Sequence, residues 1–212
     1  MKHLLKLKII LLVLILVVSC NTSEKKKTET IENKLNEQVF SYGIDTTGVS
    51  VLWTAYKFTD KVAVSGKFSD FKLSLVNDAE SIERLLENSK IAIYTESVNS
   101  NSEIRDPKLR TFFFRVFNTD TIKANILGAN KGRGLIDLNM NNLTNQLKYL
   151  YSLKGDTLVL DTQIDLKKWK GEQAIQSLNK ECYDLHKGAD GISKLWPVVD
   201  VIIKLPIRKK IN

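Results

Sequence analysis

The amino-acid sequence predicts an all-β fold: an eight-stranded antiparallel barrel, closed or nearly closed, with short helical segments covering it. Three observations predict it. Apolar and polar residues alternate with period two in about eight segments between Val51 and Leu205, the mark of strands with one face buried and one face wet. Only three segments show helical spacing instead. No Gly/Ser linker and no repeat divides the chain after Phe40, so one core must serve all the strands. Eight antiparallel strands in a chain this size either close or stack, and closure at eight strands leaves an interior just wide enough for side chains or one small ligand.

At the N-terminus, Lys2, Lys6 and Lys8 precede the apolar run Ile9 to Val18. The run is shorter than the ~20 residues a bilayer span needs. A basic start, a short apolar run and a small residue before the break predict a secretory signal peptide over residues 1–19. The break itself, Val17-Val18-Ser19-Cys20, resembles the lipobox of bacterial lipoproteins. The resemblance implies cleavage before Cys20 and acylation of its thiol, making Cys20 the lipidation site and the lipid membrane a partner. Each buried methylene contributes about 0.8 kcal/mol, so several chains hold a protein persistently. Residues 20–45 are rich in Glu, Lys, Thr and Asn and nearly free of aromatics, as in a solvated tether. Residues 46–212 form the barrel domain. The implied location is the bacterial cell envelope, exported and membrane-anchored.

The elements follow in order. Val51, Trp53 and Ala55 share one face of the first strand, with Leu52, Thr54 and Tyr56 on the other. A Thr-Asp-Lys turn leads into "VAVSGKFSDFKLSL", where Val62, Val64, Gly66 and Phe68 are in step. "NDAESIERLLENS" has an Asn or Asp start, acids in its first turn, and Ile82, Leu85 and Leu86 on one helical face. "KIAIYTESV" returns to alternation. In "RDPKLRTFFFRVF", Asp106 is the expected N-cap and Pro107 the first helical residue. Leu109, Phe112, Phe113, Val116 and Phe117 then make an i, i+3, i+4, i+7, i+8 stripe. "TIKANILGA" and "GLIDLNMNN" are strands, the second with Ile136, Leu138 and Met140 opposite Asp137, Asn139 and Asn141. "QLKYLYSLKGDTLVLDTQIDL" is two strands joined at Gly155-Asp156. "KWKGEQAIQSLNKECYDLHKG" aligns Ile175, Leu178, Cys182 and Leu185 and should stop at a left-handed Gly188. Val199, Val201, Ile203 and Leu205 mark the last strand.

Composition excludes several functions. The formal net charge of +8 becomes +5 once the three signal-peptide lysines leave. The excess sits near the termini, in Lys25 to Lys27 and in Arg208, Lys209 and Lys210, where it aids solubility and attraction to anionic headgroups. No basic face with interleaved aromatics appears on a recognisable module, so nucleic acid is not expected as a partner. With Cys20 acylated, Cys182 is alone, and neither an intramolecular disulfide nor a CxxC pair is possible. His186 is the one histidine of the mature chain, which argues against multi-histidine zinc sites and histidine-based catalysis. Cys182 and His186 stand i, i+4. Such a pair can be nucleophile and base. It is better explained by a buried cysteine acting as a small hydrophobe and a histidine cation favoured near a helix C-terminus. The expectation is no catalytic residue, no metal and no cofactor.

The order of "VLWTAYKFTDKVAVSGKFSDFKLSL", "IRDPKLRTFFF" and "TIKANILG" resembles the YceI-like family of isoprenoid-binding, lipocalin-like proteins. Val51 to Lys57, the run Gly66-Lys67-Phe68-Ser69-Asp70-Phe71, and Arg105-Asp106 with Leu109, Arg110, Phe112 and Phe113 carry the likeness. The tail "SLNKECYDLHKGADGISKLWPVVDVIIKL" resembles a lipoprotein subgroup. The resemblance spans roughly Thr46 to Pro206. It implies a long apolar or amphiphilic small molecule in the lumen, an isoprenoid, quinone or fatty-acid derivative held as ligand, and no catalytic residues. Strands of about nine residues at about 3.3 Å each give a lumen about 30 Å tall, which suits a long thin molecule. Trp53, Val64, Phe68, Phe112, Phe113, Ile136, Leu138 and Tyr149 are the expected lining residues; Trp196 is a further aromatic that can fill core or meet ligand. The alternative is a structural or interaction lipoprotein whose barrel is filled by its own side chains. Oligomeric state, a dimer included, is left open.

Overall fold

Eleven strand segments carry the alternation: β1 (Phe40–Ile44), β2 (Ser50–Lys57), β3 (Val62–Phe68), β4 (Phe71–Ser74), β5 (Lys90–Tyr94), β6 (Val98–Asn99), β7 (Thr121–Asn130), β8 (Arg133–Met140), β9 (Leu143–Lys154), β10 (Thr157–Asp165) and β11 (Val198–Ile211). They belong to a computed structural model that describes residues 40–76 and 78–211. The expected signal peptide, Cys20 and the tether as far as residue 39 lie outside the described residues.

All pairing is antiparallel, in the order β4-β5-β7-β8-β9-β10-β11-β2-β3-β6, with β1 also on β11. The segments reduce to eight strands. β1 leads into β2, and both lie along the same edge of β11, opposite Ile207–Ile211 and Asp200–Lys204 respectively. β3 runs into β4 across Ser69-Asp70, and β5 into β6 across a tight turn at Thr95–Ser97. β4 pairs with β5 and β3 pairs with β6, so the two ends of the order are one pair of bent strands and the sheet closes. Ser69 N–H donates to Ser97 O at 3.1 Å and Tyr94 N–H to Asp70 O at 3.2 Å, bridging the bend. The eight-stranded barrel expected from alternation is therefore present. Its first strand begins earlier than expected. Phe40–Ile44, assigned to the tether from sequence, is in the sheet: it pairs with Ile207–Ile211, Ile44 packs into the core with Tyr42 against it, and Lys209 Nζ sits 3.5 Å from the Phe40 ring centroid.

Side-chain parity follows the sequence pattern. Val51, Trp53, Phe68, Leu138, Met140, Leu147, Tyr149, Leu158, Leu160 and Leu205 face inward and are buried. Two inward aromatics lie over glycines on the neighbouring strand. Trp53 is paired with Gly66, and Tyr149 with Gly134. A Cβ on Gly66 would stand 2.4 Å from Trp53 Cζ2, and one on Gly134 2.2 Å from Tyr149 Cζ. A missing side chain here is what lets a ring lie along the wall.

One end of the barrel is plugged by α1 (Ile82–Leu86), which sits between β4 and β5. Ser81 Oγ accepts from Arg84 N–H at 3.2 Å and caps it. Leu85 and Leu86 bury fully against Ile44, Leu158, Leu160, Tyr149 and Leu205. The other end is covered by the two long connections. Between β6 and β7, α2 (Arg105–Lys108) passes into a wide π-helical turn at Leu109–Phe114. Between β10 and β11 lies α3 (Glu172–Glu181), which packs on that turn, with Lys108 and Glu181 bridged at 3.1 Å.

Three local expectations fail there. Asp106 does not cap α2: its carboxylate accepts from Ser100 N–H at 2.9 Å, while Ser102 Oγ accepts from Arg105 N–H at 3.2 Å, so the helix starts two residues before Pro107. The aromatic stripe is wound differently. Arg115 N–H donates to Arg110 O and Thr119 N–H to Phe114 O, both i→i+5 bonds. That wider turn brings residue i+5 beneath residue i. Leu109, Phe113, Phe114 and Phe117 face the barrel, while Val116 is exposed and Phe112 falls outside the group. Finally, α3 stops at Glu181, not Gly188. The Asn179 side-chain amide donates to Ser193 O at 3.3 Å and Ser193 Oγ donates to Tyr183 O at 2.9 Å, drawing the chain back across α3. Gly191 rather than Gly188 takes the left-handed conformation, with φ 78°.

Candidate binding cavity

Between the barrel and its helical cover lies a cavity of about 130 Å³ whose wall is apolar throughout. The barrel contributes Trp53 from β2, Phe68 from β3, Met140 from β8 and Val199 and Val201 from β11; the cover contributes Leu109, Phe113, Phe114, Ile175 and Leu178. Its aromatic side is a chain of ring contacts, two of them edge-to-face and the third tilted. Phe68 and Phe114 centroids are 6.0 Å apart, Phe114 and Phe113 5.0 Å, and Phe113 and Phe117 5.5 Å. Such pairs hold one another at about 0.5–1.5 kcal/mol beyond burial. Two indoles are pinned at their polar ends. Trp53 Nε1–H donates to Lys67 O at 3.4 Å and Trp196 Nε1–H to Phe58 O at 2.7 Å. Their apolar edges remain turned to the cavity.

The cavity continues in two directions. Toward solvent it shares Trp53, Ala55, Tyr56, Leu109, Leu178 and Leu195 with a mouth hollow of about 340 Å³ that also takes in Val64, Lys57, Arg105, Lys108, Cys182 and His186. Toward the α1 end it meets, at Val201, a smaller hollow of about 60 Å³ walled by Leu86, Ile136, Tyr149, Leu160 and Leu205.

The structure thus brings Trp53, Phe68 and Phe113 to the apolar cavity, Val64 to its mouth, and Ile136 and Tyr149 to the far hollow. Leu138 is core, packed below the fully buried Trp169, whose Nε1–H donates to Leu138 O at 3.0 Å. Phe112 is half-buried and off the cavity wall, displaced by the π turn. Phe114 takes its place, a residue that three consecutive phenylalanines hide among α and π spacings. Leu178, Leu195 and Val199 also line the cavity. Leu178 and Val199 were legible as inward residues, but not as wall.

Cys182 and His186 both stand at the mouth. Burial pushes the Cys182 thiol above its ordinary value, with Lys108 opposing weakly. Burial, together with the charges of Lys57, Arg105 and Lys108, lowers the His186 imidazole to about 4. Nδ1–H of His186 donates to Asn179 Oδ1 at 3.0 Å. At neutral pH both groups are uncharged, whereas an activated pair needs a thiolate beside a cation or base. The histidine cation expected at a helix C-terminus is not favoured, because α3 has already ended and the ring is packed among cations. Among the described residues, no group of three or more His, Cys, Asp or Glu side chains converges so as to hold a metal ion.

Comparison with known proteins places this geometry. The family model described as the YceI-like domain matches residues 42–203. No curated protein sequence matches the chain. Among solved structures, a polyisoprenoid binding domain from Saccharophagus degradans, implicated in plant cell wall breakdown, aligns with TM-score 0.53 at 13% identity, covering 82% of this chain and 99% of that one. BcnA of Burkholderia cenocepacia aligns with TM-score 0.53 at 12% identity, covering 78% and 99%. At such identities the likeness is one of fold.

Proposed function

The chain belongs to the YceI-like domain family, and on that premise we propose that it is a carrier or scavenger holding one long apolar or amphiphilic molecule in its barrel. The ligand class is an isoprenoid, a quinone or a fatty-acid derivative. The observation that carries the reading is the wholly apolar cavity that borders the mouth hollow, with Ala55 and Leu109 lining both. The Saccharophagus neighbour, described as polyisoprenoid-binding, supports the same class. Binding pockets commonly measure about 300–1,000 Å³, and the mouth hollow lies in that range. A longer chain continues into the apolar cavity beside it. Burying roughly 300 Å² of ligand at about 25 cal/mol/Å² gives about 7 kcal/mol before association costs, so affinity in the micromolar range is expected. We assign the protein no catalytic step, and we place it in the cell envelope, tethered to a membrane through acylated Cys20.

A second reading is an interaction lipoprotein with a filled barrel. The small size of the two inner hollows, about 130 and 60 Å³, favours it. Titration of delipidated protein with polyprenols, quinones and fatty acids, followed by tryptophan fluorescence, separates the two. Saturable change from Trp53 and Trp196 supports the carrier; no change with any of them leaves the filled barrel.

A further inference from the structure

The mouth hollow has a charge character that its apolar floor does not explain. Lys57 ends β2, while Arg105 and Lys108 belong to α2, and the fold brings all three to one opening. No carboxylate lines that hollow among the described residues. Asp106 accepts from Ser100 and Asp190 from Thr59 and from Ile192 N–H, whereas Glu181 pairs with Lys108 at 3.1 Å, so Lys57 and Arg105 are the cations of the hollow with no carboxylate partner among the described residues. Lys57 Nζ donates to Leu185 O at 3.0 Å and lies 4.4 Å from the Phe58 centroid, contacts that fix the ammonium without neutralising it. The Arg105 guanidinium has no ion pair among the described residues.

We propose that the mouth hollow is a headgroup site for an oxyanion, so that the preferred occupant is a single-chain amphiphile ending in a carboxylate or phosphate monoester. This rests on the carrier reading and narrows it. The chain lies toward the apolar cavity, and the head meets Arg105 and Lys57. Arginine presents a planar fork that matches two oxygens of either anion, and the low-polarity floor strengthens the pairing relative to water. A neutral head leaves the cations as they are; an ammonium head is repelled.

The test uses the delipidated full chain and four ligands of equal chain length: palmitic acid, methyl palmitate, hexadecyl phosphate and hexadecylamine, each below its aggregation limit. The acid, the phosphate or both should bind about tenfold tighter than the ester, a difference of about 1.4 kcal/mol, and that preference should shrink with added salt. Which of the two anions binds tighter identifies the source of the oxyanion. Arg105→Gln and Lys57→Gln should each bring the ratio of acid to ester affinity toward one. Circular dichroism confirms that the barrel persists. Equal binding of ester and acid, or tightest binding of the amine, overturns the headgroup site while leaving the carrier reading intact. Binding of none of the four while polyprenols or quinones bind also overturns the headgroup site; binding of none of the four and of no polyprenol or quinone overturns the carrier reading itself.

Discussion

Acidification should loosen the barrel through His186, in a window set by its environment. The imidazole is half-buried at the mouth, bonded to Asn179 and surrounded by Lys57, Arg105 and Lys108. Burial first, and those charges second, lower it from 6.5 to about 4 in the folded protein. The unfolded chain takes up the proton near 6.5 and the folded one only near 4. Between those values the unfolded state binds more protons, so stability falls as pH falls; above 6.5 the contribution is fully present. One unit corresponds to about 1.4 kcal/mol, so the full shift amounts to about 3 kcal/mol. The ring is only half-buried beside open solvent, and screening reduces the expectation to about 1–2 kcal/mol. Carboxylates titrate in the same range, so the quantity to measure is a difference. Urea midpoints of the wild type and His186→Gln are compared at pH 7 and pH 4.5. The variant should lose about 1–2 kcal/mol less on acidification, with unchanged denaturant slope. Parallel losses in the two proteins, or an NMR titration of the His186 ring at 6.5 or above, would refute the reasoning.

Other substitutions probe separate parts of the structure. Gly66→Ala places a Cβ 2.4 Å from Trp53 and 2.6 Å from Asn99 O; it should cost about 1–3 kcal/mol and shift Trp53 emission, and an unchanged melting temperature would contradict the packing. Cys182→Ser puts a hydroxyl into a buried site and should cost about 1–2 kcal/mol. In the native protein that thiol, buried and held protonated, should react slowly with a bulky thiol reagent; rapid labelling would revive a chemical role. Cys20→Ala should move the protein from the membrane to the soluble fraction, and a variant that withstands carbonate extraction as well as the wild type would sink the acylated anchor.

Much of the barrel was legible because strand parity is local. Val51-Trp53-Ala55, Ile136-Leu138-Met140 and Val199-Val201-Ile203-Leu205 each announce their inward face by alternation alone, and each points inward. The closing seam was less visible. Ser69-Asp70 and Thr95–Ser97 bend two long strands rather than end them, and no turn residue marks the difference. The π turn was hidden because Phe112, Phe113 and Phe114 satisfy several helical periods at once, and only backbone bonding decides which two face the cavity. The cationic mouth could not be read at all. Lys57 and the pair Arg105 and Lys108 are far apart in sequence, and their meeting depends on how the β6–β7 connection folds over β2.

The account stands most directly on whether the barrel carries cargo. Native mass spectrometry of the full chain purified from its own membrane, followed by solvent extraction, measures this. The account predicts one long-chain molecule per protein, released on extraction and absent from Ala55→Trp, whose indole blocks the passage between the mouth and the apolar cavity while the β-sheet circular dichroism stays native. A wild-type protein that shows only its own acylated mass, takes up no lipid after extraction and behaves like Ala55→Trp would contradict it.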